Sequence, residues 1–324
     1  MDGVHTAVPT TPPTVGSLLT AWTPQPVAIA VAVLAVAAYA RGVARTPRWP
    51  GGRVVLFGLG VALWVWSTCG FLELYGHALF WVWCVQAMVV MLAVPTLVMA
   101  GQPLELARRR GARLGRLPDS GIGRLFTHAV VGPLLVPVVT SLLVFGPLAG
   151  WVVAAPPVEW VVQVVVFVVG AAIALPLVTS SSRATSLAVG LSLAVGVFEL
   201  LLDAVPGIVL RLQTHVATTF FDLRPALATG VAALTPIHDQ QRAGGIVWVV
   251  AELVDLPFLV LLFRQWLRAD AREAQTVDTV LEAEAIARRA RDGGGDPDDS
   301  PAAGLGETTA PWWESDPRLR DRYR

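Results

Sequence analysis

The chain has 324 residues, 54% hydrophobic and 15% charged, with 24 basic side chains balanced by 24 acidic ones. That is too apolar for an ordinary soluble domain. The neutral balance, with no broad basic face beyond a few Arg-rich loops, argues against nucleic-acid binding.

Residues 1–23 are Pro- and Thr-rich and nearly uncharged. The first 20 lack the basic start, apolar core and small-residue cleavage site of a cleaved signal peptide. This tail is expected on the external side, with the first apolar run serving as the membrane signal. Seven apolar runs follow, over 27–42, 54–71, 77–100, 127–149, 158–178, 184–204 and 243–266. Each is roughly 16–24 residues, about the length needed to cross a hydrocarbon core of about 30 Å.

As far as the sixth run, Arg residues occupy every second gap. Arg41, Arg45, Arg48 and Arg53 follow the first run; Arg108, Arg109, Arg110, Arg113, Arg116 and Arg124 follow the third. Arg183 follows the fifth, and Arg268, Arg272, Arg288 and Arg289 follow the seventh, while the gaps after the second and fourth runs hold none. The positive-inside rule then places the N-terminus outside and the C-terminus inside. Trp22, Trp49, Trp151, Trp160 and Trp266 fall at predicted helix ends, where an indole anchors at the headgroups. The expected fold is an all-α, seven-helix membrane domain over 24–267.

The segment 101–126 reads as a basic cytoplasmic loop and 205–242 as the one long external loop. The latter opens on Pro206-Gly207, which predicts a helix end or turn. Phe220, Phe221 and Leu223 suggest a short interfacial helix. Residues 268–291 read as a charged cytoplasmic helix with Val277, Val280, Leu281 and Ile286 on one side. The acidic Gly/Pro stretch from Gly293 to Asp299 opens a tail, 292–324, that is expected to be disordered apart from Trp312 and Trp313, which could dock on a membrane or partner.

Three residue sets are candidates for chemistry. The first is histidine: His5, His77, His215 and His238 fall at the outer side and His128 inside. The four either converge on a metal, with Asp239 orienting the His238 ring, or are unrelated polar loop residues. The second is sulfur. Cys84, Met88 and Met91 share one helix face at i, i+4 and i+7, a donor set that suits Cu(I), and Cys69 ends the preceding helix. A Cys69–Cys84 disulfide and plain helix packing are the other readings. The third is the intramembrane acids Glu199, Asp203, Glu252 and Asp255, which either bond across helices or line a proton or cation path. The latter reading makes the chain a small-solute or ion-coupled transporter. No run has an interior His, which disfavours a bis-His haem protein. No nucleotide-binding or zinc-protease motif is present, so an enzyme is not expected.

Four local patterns point together: Trp49-Pro50 with Arg53; Gly101-Gln102-Pro103-Leu104-Glu105-Leu106; Glu199 through Asp203-Ala204-Val205-Pro206-Gly207-Ile208; and Asp239-Gln240-Gln241-Arg242-Ala243-Gly244-Gly245 opening the last run. With seven spans, they resemble the bacterial cytochrome c oxidase assembly factors of the CtaG type, over about 30–270. The Trp312-Trp313-Glu314 run also resembles actinobacterial members. The resemblance implies a multi-pass plasma-membrane protein that matures a haem-copper oxidase through copper handling or scaffolding. The implied partners are oxidase subunits or other copper-handling proteins, within the lipid bilayer, and copper is the one implied cofactor. Family members usually carry a His-Met-x-Gln-His run on the third helix. Here Trp83 and Ala87 stand at the two histidine positions, whereas Gln86 and Met88 match. A metal site built on those imidazoles cannot exist here in the same form. Either Cys84, Met88 and the outer histidines build a different site, or metal binding is lost.

Overall fold

The computed structural model describes residues 9, 11–121, 131–179, 186–223 and 234–292, and it divides into two units, Met1–Asp270 and Ala271–Arg324. The regular structure of the described residues is helical throughout. The short turn α1 (Ser17–Thr20) leads to α2 (Pro26–Ala44), α3 (Gly51–Cys69), α4 (Phe71–Gly76) and α5 (Phe80–Met88). One π-helical turn (Val89–Ala93) joins α5 to α6 (Val94–Ala100), and α7 (Pro103–Arg109) follows. The remaining helices are α8 (Val131–Phe145), α9 (Leu148–Ala154), α10 (Pro156–Thr179), α11 (Ser186–Leu212), α12 (Phe220–Leu223) and α13 (Pro236–Asp292).

Among the described residues, five stretches are long and apolar enough to cross a membrane: Pro26–Ala44, Gly51–Gly76, Phe80–Arg109, Pro156–Leu175 and Val189–Leu212. The pair Leu134–Phe145 and Leu148–Ala154, bent by 61°, raises the number to six if it is one span. The bend falls at Gly146-Pro147, where Pro lacks the N–H a straight helix needs. The seventh expected run, 243–266, lies inside α13. That helix is 57 residues long and also holds the 268–291 segment expected to be helical. In α2, Val27, Ile29, Val31, Val33, Leu34 and Val36 are all exposed. An apolar helix face turned outward is the pattern of a segment whose solvent is lipid.

Small residues let helices close on one another. A Cβ at Gly170 of α10 would overlap the Met91 carbonyl oxygen, within the π-helical turn. At the α11–α13 crossing, a Cβ on Gly207 would come 2.8 Å from the Gly244 oxygen, and one on Gly244 would come 2.7 Å from the Gly207 oxygen. This is the small-residue packing by which membrane helices associate. It also explains why Pro206-Gly207 does not end its helix. Pro206 lies within α11, which runs on to Leu212, and the glycine serves the helix crossing.

The core is built on α5. Phe80, Trp83, Cys84, Met88 and Met91 are buried with Val136, Leu143, Val166 and Leu210. Phe220 of α12 is fully buried, its ring 5.3 Å from Phe80 and 6.4 Å from Trp83. The helix expected at 220–223 therefore exists, but its Phe220 is a core residue and not an interfacial one. At the far end of the α2–α3 pair, Tyr39 stacks on Phe57 at 3.9 Å and donates to the Gly101 carbonyl at 2.8 Å. Trp49 donates to the Tyr39 hydroxyl at 3.0 Å, and the Arg53 and Arg109 guanidiniums lie 4.9 and 5.4 Å from its ring. Such cation–π contacts contribute about 0.5–1 kcal/mol each at exposed sites.

The Asp239 block holds the other end. The Asp239 carboxylate accepts from the backbone N–H groups of Phe80 and Trp81, each at 3.0 Å. The first turn of any helix has N–H groups without intrahelical partners. Asp239 supplies two acceptors from 159 and 158 residues away. Gln240, fully buried, accepts from the Ala217 N–H at 2.7 Å and donates to the His215 carbonyl at 3.1 Å. Gln241 donates to the Gln213 carbonyl at 3.1 Å. The motif thus fixes both the start of α5 and the segment after α11.

Candidate metal centre

Gly70 separates α3 from α4 and breaks the helix direction while keeping one bond back to the Trp66 carbonyl, at 2.9 Å. The short α4 carries Glu73, and His77 caps its end. Four residues apart, the two lie on one helical face. Glu159 stands in the first turn of α10, brought alongside as α9 and α10 pack next to α5.

Glu73, His77 and Glu159 are 2, 7 and 5% exposed, and one ligand atom from each lies within 4.8 Å of the others. His77 Nδ1 is 3.0 Å from the Glu73 backbone carbonyl, and Nε2 is 3.5 Å from Glu159 Oε2. A carbonyl only accepts, so Nδ1 carries the proton. Nε2 therefore faces a carboxylate oxygen with its lone pair, unless a proton or another cation lies between them.

Amide side chains hold the acids in place. Glu73 Oε1 accepts from Gln25 Nε2 at 3.0 Å, and Oε2 accepts from Gln86 Nε2 at 2.7 Å. Gln86 Nε2 also donates to the Ser67 carbonyl at 3.0 Å. Glu159 Oε1 accepts from Gln163 Nε2 at 3.2 Å. Beside Glu159, Gln86 and Gln163 lies a cavity of about 20 Å³, lined also by Trp83, Val90 and Val166. Gln163 Oε1 is buried with no hydrogen-bond partner among the described residues. Two carboxylates and one imidazole so placed can bind a cation or share a proton, and this is the one cluster of three or more His, Cys, Asp or Glu ligands among the described residues.

The residues expected from sequence fall as follows. His77 is in the cluster. Cys84, Met88 and Met91 are buried in the main core, where Cys84 is 2% exposed. Cys69 is buried at the end of α3, its Sγ 3.9 Å from Thr68 Oγ1. Both cysteines are free, so the disulfide reading is corrected. His238 is exposed with Nδ1 2.8 Å from Thr235 Oγ1, while the adjacent Asp239 carboxylate caps α5. His215 is exposed; His5 and His128 lie outside the described residues. Glu199 and Asp203 lie on α11, Asp203 at 5% exposure, and neither joins the cluster. Glu252 accepts from Trp248 Nε1 at 3.2 Å, one turn away on α13. Asp255 lies in the same helix, with its side chain outside the described set.

Glu73 and Glu159 were not anticipated. The available signal was Glu73-x-x-x-His77, a helical i, i+4 pair just beyond an apolar run, and a Glu three residues after the Pro156 that opens the next span.

The helices and the buried cluster define a multi-pass membrane protein with a polar centre between its spans. A family profile described as cytochrome c oxidase caa3 assembly factor (Caa3_CtaG) matches residues 33–269, and the chain belongs to that family. Two curated relatives are the uncharacterized proteins Mb0105 of Mycobacterium bovis and MT0111 of Mycobacterium tuberculosis. Each is 28% identical over 288 aligned positions, covering 82% of this chain. The chain spans 42% of the length of either relative. No solved structure matches.

Proposed function

We propose that this protein assists assembly of a haem-copper cytochrome c oxidase in the bacterial plasma membrane by holding a metal ion for the enzyme at Glu73, His77 and Glu159. The observation that carries this reading is the cluster itself: three ligand side chains, each nine-tenths buried or more, converging where α4 meets α10. The Arg-rich gaps 41–53 and 108–116 lie at the opposite ends of α2, α3 and α6, so the positive-inside rule puts the cluster near the external face. A metal site there can exchange its ion with oxidase subunits or with other copper-handling proteins on that side. The cluster uses none of the imidazoles expected on the third helix, so the Trp83 and Ala87 replacements leave it intact.

The test is complementation of a deletion strain by wild-type, Glu159→Gln and His77→Gln chains, reading oxidase activity and the haem absorbance of membranes with and without added copper. Wild-type rescue, with loss of both signals in the variants and recovery on added copper, is the expected result. Full rescue by both variants would sink the metal-holding role. Loss that copper does not restore would point to scaffolding instead.

A further inference from the structure

We infer that Glu73, His77 and Glu159 bind a divalent transition-metal ion whose fourth ligand is a water molecule seated in the adjoining cavity against Gln163. This rests on the metal-holding reading above and goes further in fixing the charge, the donor set and the open position.

The spacing comes first. Metal–ligand distances of about 2.0–2.2 Å for imidazole nitrogen and carboxylate oxygen put tetrahedral neighbours about 3.4 Å apart. His77 Nε2 and Glu159 Oε2 are 3.5 Å apart, and all three ligand atoms lie within 4.8 Å. Small rotamer adjustments therefore complete the coordination without backbone movement. The ring is already set for it. Its Nδ1–H donates to a backbone carbonyl, which leaves Nε2 as the ligand atom, the usual arrangement of metal-bound histidine.

Charge and donor type select the ion. As metal ligands, two carboxylates and a neutral imidazole bring two negative charges, which a divalent ion cancels. A monovalent ion leaves one charge uncompensated. Oxygen and imidazole ligands suit borderline divalent ions, whereas Cu(I) prefers thiolate and thioether. Cys69 and Cys84, the two thiols of the chain, lie outside the cluster.

The fourth position is the cavity. Its volume of about 20 Å³ exceeds the roughly 10–15 Å³ that one water needs. Such a water also needs polar partners, and Gln163 Oε1 is a buried acceptor with none among the described residues. A metal-bound water donates readily, so Gln163 Oε1 accepts a hydrogen bond from it while Gln163 Nε2 donates to Glu159 Oε1. Three protein ligands plus water make an open site, unlike the closed four-ligand sites of structural zinc. An open site releases its ion to a competing ligand.

The experiment titrates the purified full-length chain in detergent with Zn²⁺, Cu²⁺, Co²⁺ and, anaerobically, Cu⁺. Expected are one equivalent of each divalent ion and weaker Cu⁺ binding. The Co²⁺ form should show a visible spectrum that shifts on adding azide, which displaces the water. Glu159→Gln should lower divalent affinity by more than about 100-fold, beyond the range for loss of an outer partner. His77→Gln gives a second route should the first variant unfold, with thermal unfolding checking both. Gln163→Leu should retain the ion but alter the azide response. No divalent binding, or binding that both ligand variants keep, would overturn the site. So would a preference for Cu⁺, and a Co²⁺ spectrum indifferent to azide would overturn the water. The in vivo result is separate. Loss of binding in vitro alongside full oxidase rescue by the same variant would overturn the metal-holding role and leave this site standing.

Discussion

Glu73 takes both of its side-chain hydrogen bonds from glutamines on other segments, Gln25 before α2 and Gln86 on α5. Gln86→Leu removes the Glu73 bond and the bond to the Ser67 carbonyl together. The expected effect is a fall in Zn²⁺ affinity of about 10–100-fold and a stability loss of about 1–3 kcal/mol, read by titration and thermal unfolding. Unchanged affinity would remove Gln86 from the metal's surroundings. Cys84→Ala with Met88→Leu should do the reverse. These side chains pack in the core, so divalent binding persists while stability falls by about 1 kcal/mol or more. Loss of metal in that double variant would restore a sulfur site. At this scale His77 was legible as a polar residue at a span end, and Cys84, Met88 and Met91 as one helical face. Glu73 and Glu159 were not, because what makes them unusual is burial. That burial depends on contacts between distant parts of the chain, 48 positions apart in Gln25–Glu73 and 82 in His77–Glu159.

Helix α5 begins where a carboxylate from α13 meets its first two N–H groups. Charge-assisted bonds of this kind contribute about 1.5–3 kcal/mol each. Asp239→Ala should lower stability by about 2–4 kcal/mol, while Asp239→Asn, which keeps one acceptor oxygen, should lose less. Equal stability of Ala and wild type in thermal unfolding would refute the capping role. The π-helical turn is the second element with a clear dependence. Gly170 packs against its Met91 carbonyl with no room for a Cβ, so Gly170→Leu should separate α10 from α5–α6 and displace Glu159 from His77. Loss of monodisperse protein, or of metal binding in what remains, is the expected readout. The sequence pattern located most helices within a few residues. It missed that α11 continues past Pro206, because a proline's cost in a helix can be offset by packing, here at the Gly207–Gly244 crossing.

For the molecule as a whole, the apolar runs and alternating Arg gaps made the membrane class plain, and the number of crossings is the finer matter. Five or six spans are long and apolar enough among the described residues, and the last run of the expected seven is absorbed into the 57-residue α13. With Cys69 and Cys84 replaced by Ala, a single Cys at Ala112 should be labelled by an impermeant maleimide only after the cell is opened. A single Cys at Val216 should be labelled on intact cells. Both positions are exposed. Labelling of both from one side would overturn the alternating orientation and, with it, the external placement of the cluster.

The Asp239 bond to α5 also sets an order in time. A ribosome adding about 5–20 residues per second reaches Asp239 roughly 8–30 s after Phe80. Throughout that interval Glu73 and His77 are already made, but the helix beside them lacks its cap. The nascent chain thus carries its ligands beside a helix without its cap until α13 begins. A truncated product that ends before residue 239 should be unable to sequester metal from the cell.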